Sequence, residues 1–131
     1  MNNPELPRFL ETSKDDVTLK VDGLRGNLIS YEFTNFIPFT VRRTFYVFMN
    51  KMGIVRGNHG HKRCWQVLVC LHGNIEVSSL NLLENQSWRL SEPTLLLLVP
   101  PWNKIQYISK SESSILGVFS SDKYDPEDFF Y

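Results

Sequence analysis

The chain has 131 residues, the size of one domain, and 42% of them are hydrophobic, so it can bury a substantial core. Its 14 Lys and Arg balance 14 Asp and Glu, which gives no electrostatic footprint for nucleic acid or an anionic membrane. The longest aliphatic run, residues 95–99, is too short to cross a bilayer, and the first residues lack the basic start of a signal peptide. The two cysteines, Cys64 and Cys70, form no disulfide framework. We therefore expect a cytoplasmic protein of one domain, residues 1–131, with free thiols and no nucleic-acid or membrane partner.

Short strands dominate the chain. The N-terminal segment, residues 1–15, is polar with two prolines and predicts a loosely ordered arm. Runs rich in Val, Ile, Phe and Tyr, separated by turn residues, predict strands at 28–33, 40–48, 65–71, 75–80, 95–99, 105–108 and 114–119. Residues 125–130 predict a short helical turn. Many short strands at this spacing are typical of an antiparallel sandwich or jelly roll, so we predict an all-β fold.

The predicted strand 65–71 carries two specific expectations. It is apolar on both faces apart from Gln66, so it should be covered on both sides, between two sheets or at a dimer interface. His61 lies five positions before Gln66, and the two would point to opposite faces of one regular strand. For both to point inward, a turn or bulge within residues 62–64 must reset the register. We therefore predict two strands here.

The most informative pattern lies between residues 53 and 73. Gly53, His59, His61, Gln66 and Gly73 stand at the fixed points of a spacing that resembles the first motif of the cupin barrels. Gln66 stands where those proteins usually have Glu. Side chains two apart point to the same face of a strand, so both imidazoles address the same place. Imidazole can bind a metal or move a proton near neutral pH.

A metal is the weaker of these two interpretations. Cupins usually take a third His from a second motif, and the best match to that motif, which begins at Pro100, has Ile105 at this position. Two imidazoles and a neutral amide form a poor divalent-metal site, because no ligand charge compensates for dehydration of the ion. We therefore predict no metal and no cofactor. A pair of hydrogen-bonded histidines at a polar strand end is the structural alternative.

Cationic residues flank the histidine pair and favour a chemical role. Arg56 precedes the pair and Lys62 follows it. Nearby cations lower the pKa of an imidazole and so favour the neutral form, which can act as a base. They can also hold phosphate groups, Arg through its bidentate fork.

Several blocks of the chain together resemble the WxcM-like sugar-nucleotide 3,4-ketoisomerases, a family of RmlC-like cupins. The signature of this family is Arg-Gly-x-His-Ala-His-Lys, followed by Gln and later by Ser-x2-Tyr-Asp-x2-Asp-Tyr. This chain has Arg-Gly-Asn-His-Gly-His-Lys from residue 56, Gln66, and Ser-Asp-Lys-Tyr-Asp-Pro-Glu-Asp-Phe from residue 121. Residues 38–46 add a further match, and the resemblance covers about residues 22–131.

The resemblance implies a single cupin jelly-roll domain, a barrel or sandwich of antiparallel strands. It implies a homodimer that exchanges N-terminal strands. It also implies conversion of dTDP-4-keto-6-deoxyglucose to a dTDP-3-keto-6-deoxyhexose by metal-independent proton transfer through an enediol(ate). Such an isomerase would serve deoxyamino-sugar synthesis for surface glycans, as in lipopolysaccharide O-antigen. Two alternatives stay open: a non-catalytic sugar-nucleotide-binding cupin, and a C3 or C5 epimerase of the same substrate.

The resemblance also assigns roles by position. His59, His61 and Tyr46 are the catalytic candidates, with His61 as the expected base. The candidates for substrate binding are Arg43, Arg56, Gln66, Lys62 and Trp102, the last by stacking on thymine. The chain departs from the family pattern in five places: Asn58 replaces an aromatic residue, Gly60 replaces Ala, Phe129 replaces Tyr, the block after Pro101 reads Trp-Asn-Lys-Ile, and the acidic-glycine turn usual after the Gly73 strand is missing from residues 78–84. These departures leave the substrate and the C4 configuration of the product open.

Overall fold

The computed structural model of the protein describes residues 5–80 and 86–131. Within these ranges the chain forms β-strands and two 3-10 turns, Gly23–Arg25 and Pro126–Asp128, and no α-helix. The all-β prediction is therefore confirmed. In chain order the strands are β1 (Arg8–Phe9), β2 (Val17–Val21), β3 (Asn27–Tyr31), β4 (Arg43–Met49), β5 (Val55–His61), β6 (Gln66–His72), β7 (Ile75–Ser79), β8 (Ser87–Leu90), β9 (Leu96–Val99), β10 (Ile105–Ser109), β11 (Ser114–Ser120) and β12 (Phe129–Phe130).

Two five-stranded sheets pack face to face. The first has the order β1-β9-β6-β11-β4 and the second the order β12-β5-β10-β7-β8, and neighbouring strands in both are antiparallel. Leu68 and Leu116 from the first sheet and Val77 and Ile105 from the second belong to one buried cluster. The antiparallel sandwich expected for a cupin is thus confirmed.

A hairpin of β2 and β3 covers the outer face of the first sheet. Val17 of this hairpin joins Val67, Val69 and Phe119 in a second buried cluster. Strand β6 therefore directs Leu68 into the core between the sheets and its neighbour Val67 under the hairpin. This two-sided cover explains why the strand is apolar on both faces, as its sequence predicted.

Most ends of the predicted strands lie within two residues of the observed ends. The structure also contains four short strands that the sequence did not predict, β1, β2, β8 and β12. Strand β1 lies inside the expected N-terminal arm and pairs with β9 through Arg8 and Leu98. The first four residues of that arm lie outside the described residues. The helical turn expected within 125–130 forms as the 3-10 turn Pro126–Asp128, after which the chain enters β12.

Candidate active site

A cavity of about 330 Å³ is lined by side chains from both sheets. Six of the eight site residues predicted from the sequence border it: Arg43, Tyr46, Arg56, His59, His61 and Gln66. Lys62 and Trp102 are not among its lining residues. Lys62 is exposed at the strand end, and Trp102 is half exposed with its ring centroid 5.3 Å from that of Phe130. Residues that the sequence did not single out for the site also line it, among them Cys64, Asn103, Tyr107, Tyr124 and Phe129.

Tyr46 alternates along β4 with Phe45 and Val47, which pack against the core between the sheets. A Cβ at Gly117 would lie 3.5 Å from Cδ1 of Tyr46 and 3.1 Å from Cγ1 of Val69, a residue of the cluster under the hairpin. The Tyr46 ring therefore lies on the hairpin side of the first sheet, and the catalytic role expected for it has no support in this geometry.

Strand β5 carries both histidines, and a bulge in it sets their direction. Gly57 pairs with Gln106 and His59 pairs with Ile105, so Asn58 is an extra residue on this strand. Gly57 and Asn58 have φ values of 93° and 63°. A Cβ at Gly57 would lie 2.9 Å from the carbonyl oxygen of Ile105, and Asn is a residue type that tolerates positive φ. Bulges of this kind re-aim side chains next to active sites.

The register reset between the histidines and Gln66 occurs where the sequence predicted it. Strand β5 ends at His61 and β6 begins at Gln66, so the two residues lie on separate strands of different sheets. Both side chains line the cavity. Gln66 is 9% exposed, and its Nε2 donates to the Ser120 hydroxyl at 3.5 Å.

His61 is paired with a buried carboxylate. Its Nδ1 lies 3.0 Å from Oδ2 of Asp128, and the exposed fractions of the two side chains are 12% and 3%. Asp128 also accepts hydrogen bonds from the backbone N–H groups of Arg63 at 2.7 Å and Cys64 at 3.2 Å. A carboxylate accepts, so Nδ1 of His61 carries the proton, and the lone pair of the neutral ring lies on Nε2.

The surroundings of His61 favour its neutral form. Burial lowers its pKa from the ordinary value of 6.5, and the nearby His59 and Arg43 lower it further. The hydrogen bond and charge of Asp128 act in the opposite direction but do not reverse the shift. His61 is therefore a neutral imidazole at neutral pH, oriented by Asp128 and able to accept a proton at Nε2.

His59 is oriented by its own strand and by an aromatic ring. Its Nδ1 lies 3.1 Å from the carbonyl oxygen of Gly57, which can only accept, so Nδ1 is again the protonated nitrogen. Phe129 stacks on the His59 ring with centroids 4.6 Å apart and meets the His61 ring edge-on at 4.7 Å. The two imidazole centroids are 5.4 Å apart. Both rings are thus fixed against the same cavity.

The C-terminal segment, residues 121–131, supplies Asp128 and Phe129, and several contacts hold it in place. Arg63 binds Asp122 at 2.8 Å and Asp125 at 2.9 Å. Asp125 caps the 3-10 turn by accepting from the N–H of Glu127 at 3.0 Å. Phe129 then pairs with His61 in the ladder of β12 and β5. The turn and the strand together direct the Asp128 carboxylate at His61.

Two arginines place positive charge on the cavity wall. The guanidinium of Arg43 lies 4.6 Å from the ring centroid of Phe45 and 5.2 Å from that of Tyr124, both cation–π contacts. The pKa of Tyr107 is raised by burial, and the nearby guanidinium of Arg56 lowers it in part. The cavity thus combines a neutral base with cationic groups that can receive anionic oxygens.

Comparison with known proteins identifies the family. A family model described as "FdtA: WxcM-like, C-terminal" matches residues 12–131. The chain belongs to this WxcM-like family. A TDP-4-oxo-6-deoxy-alpha-D-glucose-3,4-oxoisomerase of Aneurinibacillus thermoaerophilus is 35% identical over 114 residues, covering 84% of this chain and 79% of the relative.

Solved structures of ketoisomerases have the same fold as this WxcM-like protein. QdtA, a sugar 3,4-ketoisomerase from Thermoanaerobacterium thermosaccharolyticum solved with TDP, superposes with a TM-score of 0.81 at 27% identity, covering 95% of this chain and 86% of that one. A 3,4-ketoisomerase from Helicobacter canadensis gives 0.79 at 27% identity, covering 95% and 89%.

The site of this WxcM-like protein contains one central residue to which sequence reasoning gave no role. Asp128 belongs to the C-terminal block that carried the resemblance, yet it lies 67 positions from its partner His61. Its position within a short acidic turn gave no indication of that partner. The only available signal was the recurrence of an Asp at this place in the family signature.

Proposed function

We propose that this protein is a 3,4-ketoisomerase of a TDP-linked 4-keto-6-deoxyhexose, with dTDP-4-keto-6-deoxyglucose as the expected substrate. The observation that carries the proposal is the pairing of His61 with Asp128 in the wall of a cavity that also presents arginines. The names of the curated relative and of the similar structures support this assignment.

The first chemical step uses His61 as the base. The C3 proton of the substrate is acidic because it lies next to the C4 ketone. Nε2 of the neutral His61 accepts this proton, and the electron pair of the C3–H bond forms an enediolate between C3 and C4. Asp128 holds the ring and stabilises the imidazolium that results. A positioned base of this kind supplies roughly 10²- to 10⁴-fold in rate.

The second step returns a proton to C4, and the hydroxyl proton of O3 passes to O4, which leaves the ketone at C3 and a hydroxyl at C4. His59 lines the cavity with His61, and we assign it to proton delivery and to hydrogen bonding of the enediolate oxygens. The ring of Tyr46 points to the other face of β4, so we assign it no step. We assign Arg43, Arg56 and Gln66 to orienting the sugar and the diphosphate. This sequence of proton transfers oxidises C3 and reduces C4 within one molecule, so it needs no external oxidant or reductant, and we propose that it uses no cofactor.

Nuclear magnetic resonance of the sugar in D₂O tests the proposal. Wild-type protein is incubated with dTDP-4-keto-6-deoxyglucose, and the proposal predicts that the ketone moves to C3 while deuterium enters at C4. Exchange of ring protons with the ketone still at C4 would indicate an epimerase. An unchanged spectrum would indicate a binding module, and either result contradicts the proposal.

We also propose that the protein is a homodimer that exchanges its N-terminal strands. The hairpin of β2 and β3 exposes apolar side chains: Val21 is 74% exposed, Leu28 is 54% exposed and Leu24 at the tip is fully exposed. Strand β4 forms an edge of the first sheet and exposes Phe48 to 65%. An open edge and apolar side chains beside it favour pairing with a second copy.

We place this biosynthetic enzyme in the cytoplasm, where nucleotide sugars for surface glycans would be available to it. Within the described residues, the structure contains no helix that is long and apolar enough to span a membrane. The balanced charge of the chain supports the expectation of a small-molecule substrate over a nucleic acid or membrane surface.

A further inference from the structure

Three metal-ligating side chains meet at the edge of the cavity. Nδ1 of His61, Sγ of Cys64 and a carboxylate oxygen of Asp128 all lie within 4.8 Å of one another. Cys64 and Asp128 are 5% and 3% exposed, and both His61 and Cys64 line the cavity, which gives a path for a small ion. We propose that these three atoms bind a soft divalent cation such as Zn²⁺ or Cd²⁺, and that the bound ion switches the isomerase off.

The charge of this set differs from that of the His59, His61 and Gln66 set considered from the sequence. Cys64 contributes a thiolate and Asp128 a carboxylate, so the two negative charges balance one divalent ion. Imidazole and thiolate are the ligands that zinc and cadmium prefer. The ion displaces the thiol proton of Cys64 to solvent. That thiol otherwise donates weakly to the Trp65 carbonyl at 3.4 Å and accepts from the Ser121 hydroxyl at 3.8 Å.

The separation of two of the ligand atoms already fits an ion, and the third lies within 4.8 Å of both. Zinc bonds to nitrogen and oxygen are about 2.0–2.1 Å long, so a tetrahedral ion holds such a pair about 3.3 Å apart. Nδ1 of His61 and Oδ2 of Asp128 are already 3.0 Å apart, joined by a proton. The ion takes the place of that proton. The backbone N–H groups of Arg63 and Cys64 continue to orient the Asp128 carboxylate.

Occupation of this site would remove the base that the proposed function requires. A metal on Nδ1 of His61 occupies the lone pair of that nitrogen, so the ring proton must move to Nε2. The proton now on Nε2 blocks the lone pair that would accept the C3 proton of the substrate. The inhibitory part of the inference therefore rests on the proposed function, whereas the binding of the ion does not.

Cadmium absorption tests the binding without any activity assay. Metal-free protein is titrated with Cd²⁺, and the ultraviolet charge-transfer band of a cadmium–thiolate bond is followed. We expect the band to saturate at one ion per chain in the wild type and in Cys70→Ser, which removes the other buried thiol. In Cys64→Ser the band should vanish, and the dissociation constant, measured by calorimetry, should rise by more than about 10-fold, since even an outer-shell partner is worth about 10- to 100-fold in affinity. A wild type without the band, or a Cys64→Ser variant that keeps it, overturns the proposal.

Inhibition is then measured as the ratio of each variant's rate with and without Zn²⁺, with Mg²⁺ as a hard-ion control. We expect Zn²⁺ to inhibit the wild type and Cys70→Ser, and the concentration for half inhibition to rise more than about 10-fold in Cys64→Ser. Equal inhibition of all three proteins would overturn the switch, even if the cadmium band confirms the site. If no protein isomerises the substrate in the absence of metal, the proposed function fails while the cadmium result still stands.

Discussion

At the scale of single residues, Asp128 gives His61 its chemistry. Without an acceptor at Nδ1, an imidazole in this cavity would have neither a fixed tautomer nor a fixed orientation. The buried carboxylate provides both, and two backbone N–H groups keep it in place. The arrangement leaves Nε2 of a neutral ring as the proton acceptor.

Replacing Asp128 with Asn tests this role. We expect Asp128→Asn to lower kcat by roughly 10²-fold or more, because the amide does not stabilise the imidazolium and can hold the wrong tautomer. Glu127→Gln is the matched control, since Glu127 is exposed in the same turn, and its kcat should stay close to that of the wild type. Steady-state kinetics measures both, and circular dichroism verifies that both variants fold. A full rate in Asp128→Asn would show that the carboxylate has no part in catalysis.

The pH dependence of kcat/KM reports the pKa of His61 in the free enzyme. The neutral ring is the active form, so activity is present above this pKa and falls as protonation increases at lower pH. Because burial lowers the pKa from 6.5, the acid limb should lie below pH 6.5. Asp128 raises this pKa, so the limb should move to still lower pH in Asp128→Asn. Measurements in the presence of a chelator that show the wild-type limb above pH 6.5 would contradict this assignment.

At the scale of elements, the C-terminal segment connects the fold to the site. It turns at Asp125, presents Asp128 and continues as β12 along β5. Gly60 allows this close approach: a Cβ there would lie 2.5 Å from the Phe130 ring and 2.6 Å from the carbonyl oxygen of Asn103. The Gly in place of the family's usual Ala thus makes room for Phe130.

The variant Gly60→Ala tests whether the docking of this segment supports the site. We expect a loss of about 1–3 kcal/mol in the free energy of unfolding, because the methyl group enters a filled space. The rate should also fall, since displacing β12 moves Asp128 away from His61. Denaturant unfolding and kcat measure the two effects. Gly53→Ala is a control with positive φ but no neighbouring atom within 4 Å, and it should lose stability without the same loss of rate. Unchanged stability in Gly60→Ala would show that the C-terminal segment can shift to accommodate the methyl group at no cost in free energy.

Local sequence patterns predicted the parts of this structure that depend on neighbouring residues. The alternation of His59 and His61, the register reset before Gln66 and the two-sided cover of β6 all follow from period-2 patterning. The pairing of His61 with Asp128 depends on where a distant segment docks, which no local pattern encodes. The bulge at Asn58 was also missed, because one inserted residue does not disturb the hydrophobic pattern.

At the scale of the whole molecule, two sheets form the cavity and a hairpin covers the outer face of the first. The hairpin buries Val17 and partly buries Ile29 against that sheet, and it leaves Leu24 and Leu28 exposed. An exchanged hairpin would make the same internal contacts with the partner's sheet. We propose that the second copy also covers the side chains that are exposed in a single chain.

Light scattering coupled to gel filtration tests the proposed dimer. We expect the wild type to have the mass of two chains, about twice 15.3 kDa. Replacing both Leu24 and Leu28 with Asp should shift it toward the monomer, because charge enters the proposed interface. Leu80→Asp is the control, since Leu80 is 40% exposed at the end of β7 in the other sheet. A wild type with the mass of one chain would disprove strand exchange.

The transfer of the C3 proton by His61 is the central claim, and exchange of that proton in D₂O measures it most directly. The substrate is incubated with the wild type, His61→Asn and Asp128→Asn, and nuclear magnetic resonance follows both loss of the C3 proton and arrival of the ketone at C3. We predict that His61→Asn keeps its fold but neither exchanges the C3 proton nor moves the ketone. In Asp128→Asn we predict that both processes are slower by roughly 10²-fold or more. Exchange at the wild-type rate in a folded His61→Asn protein would contradict the account.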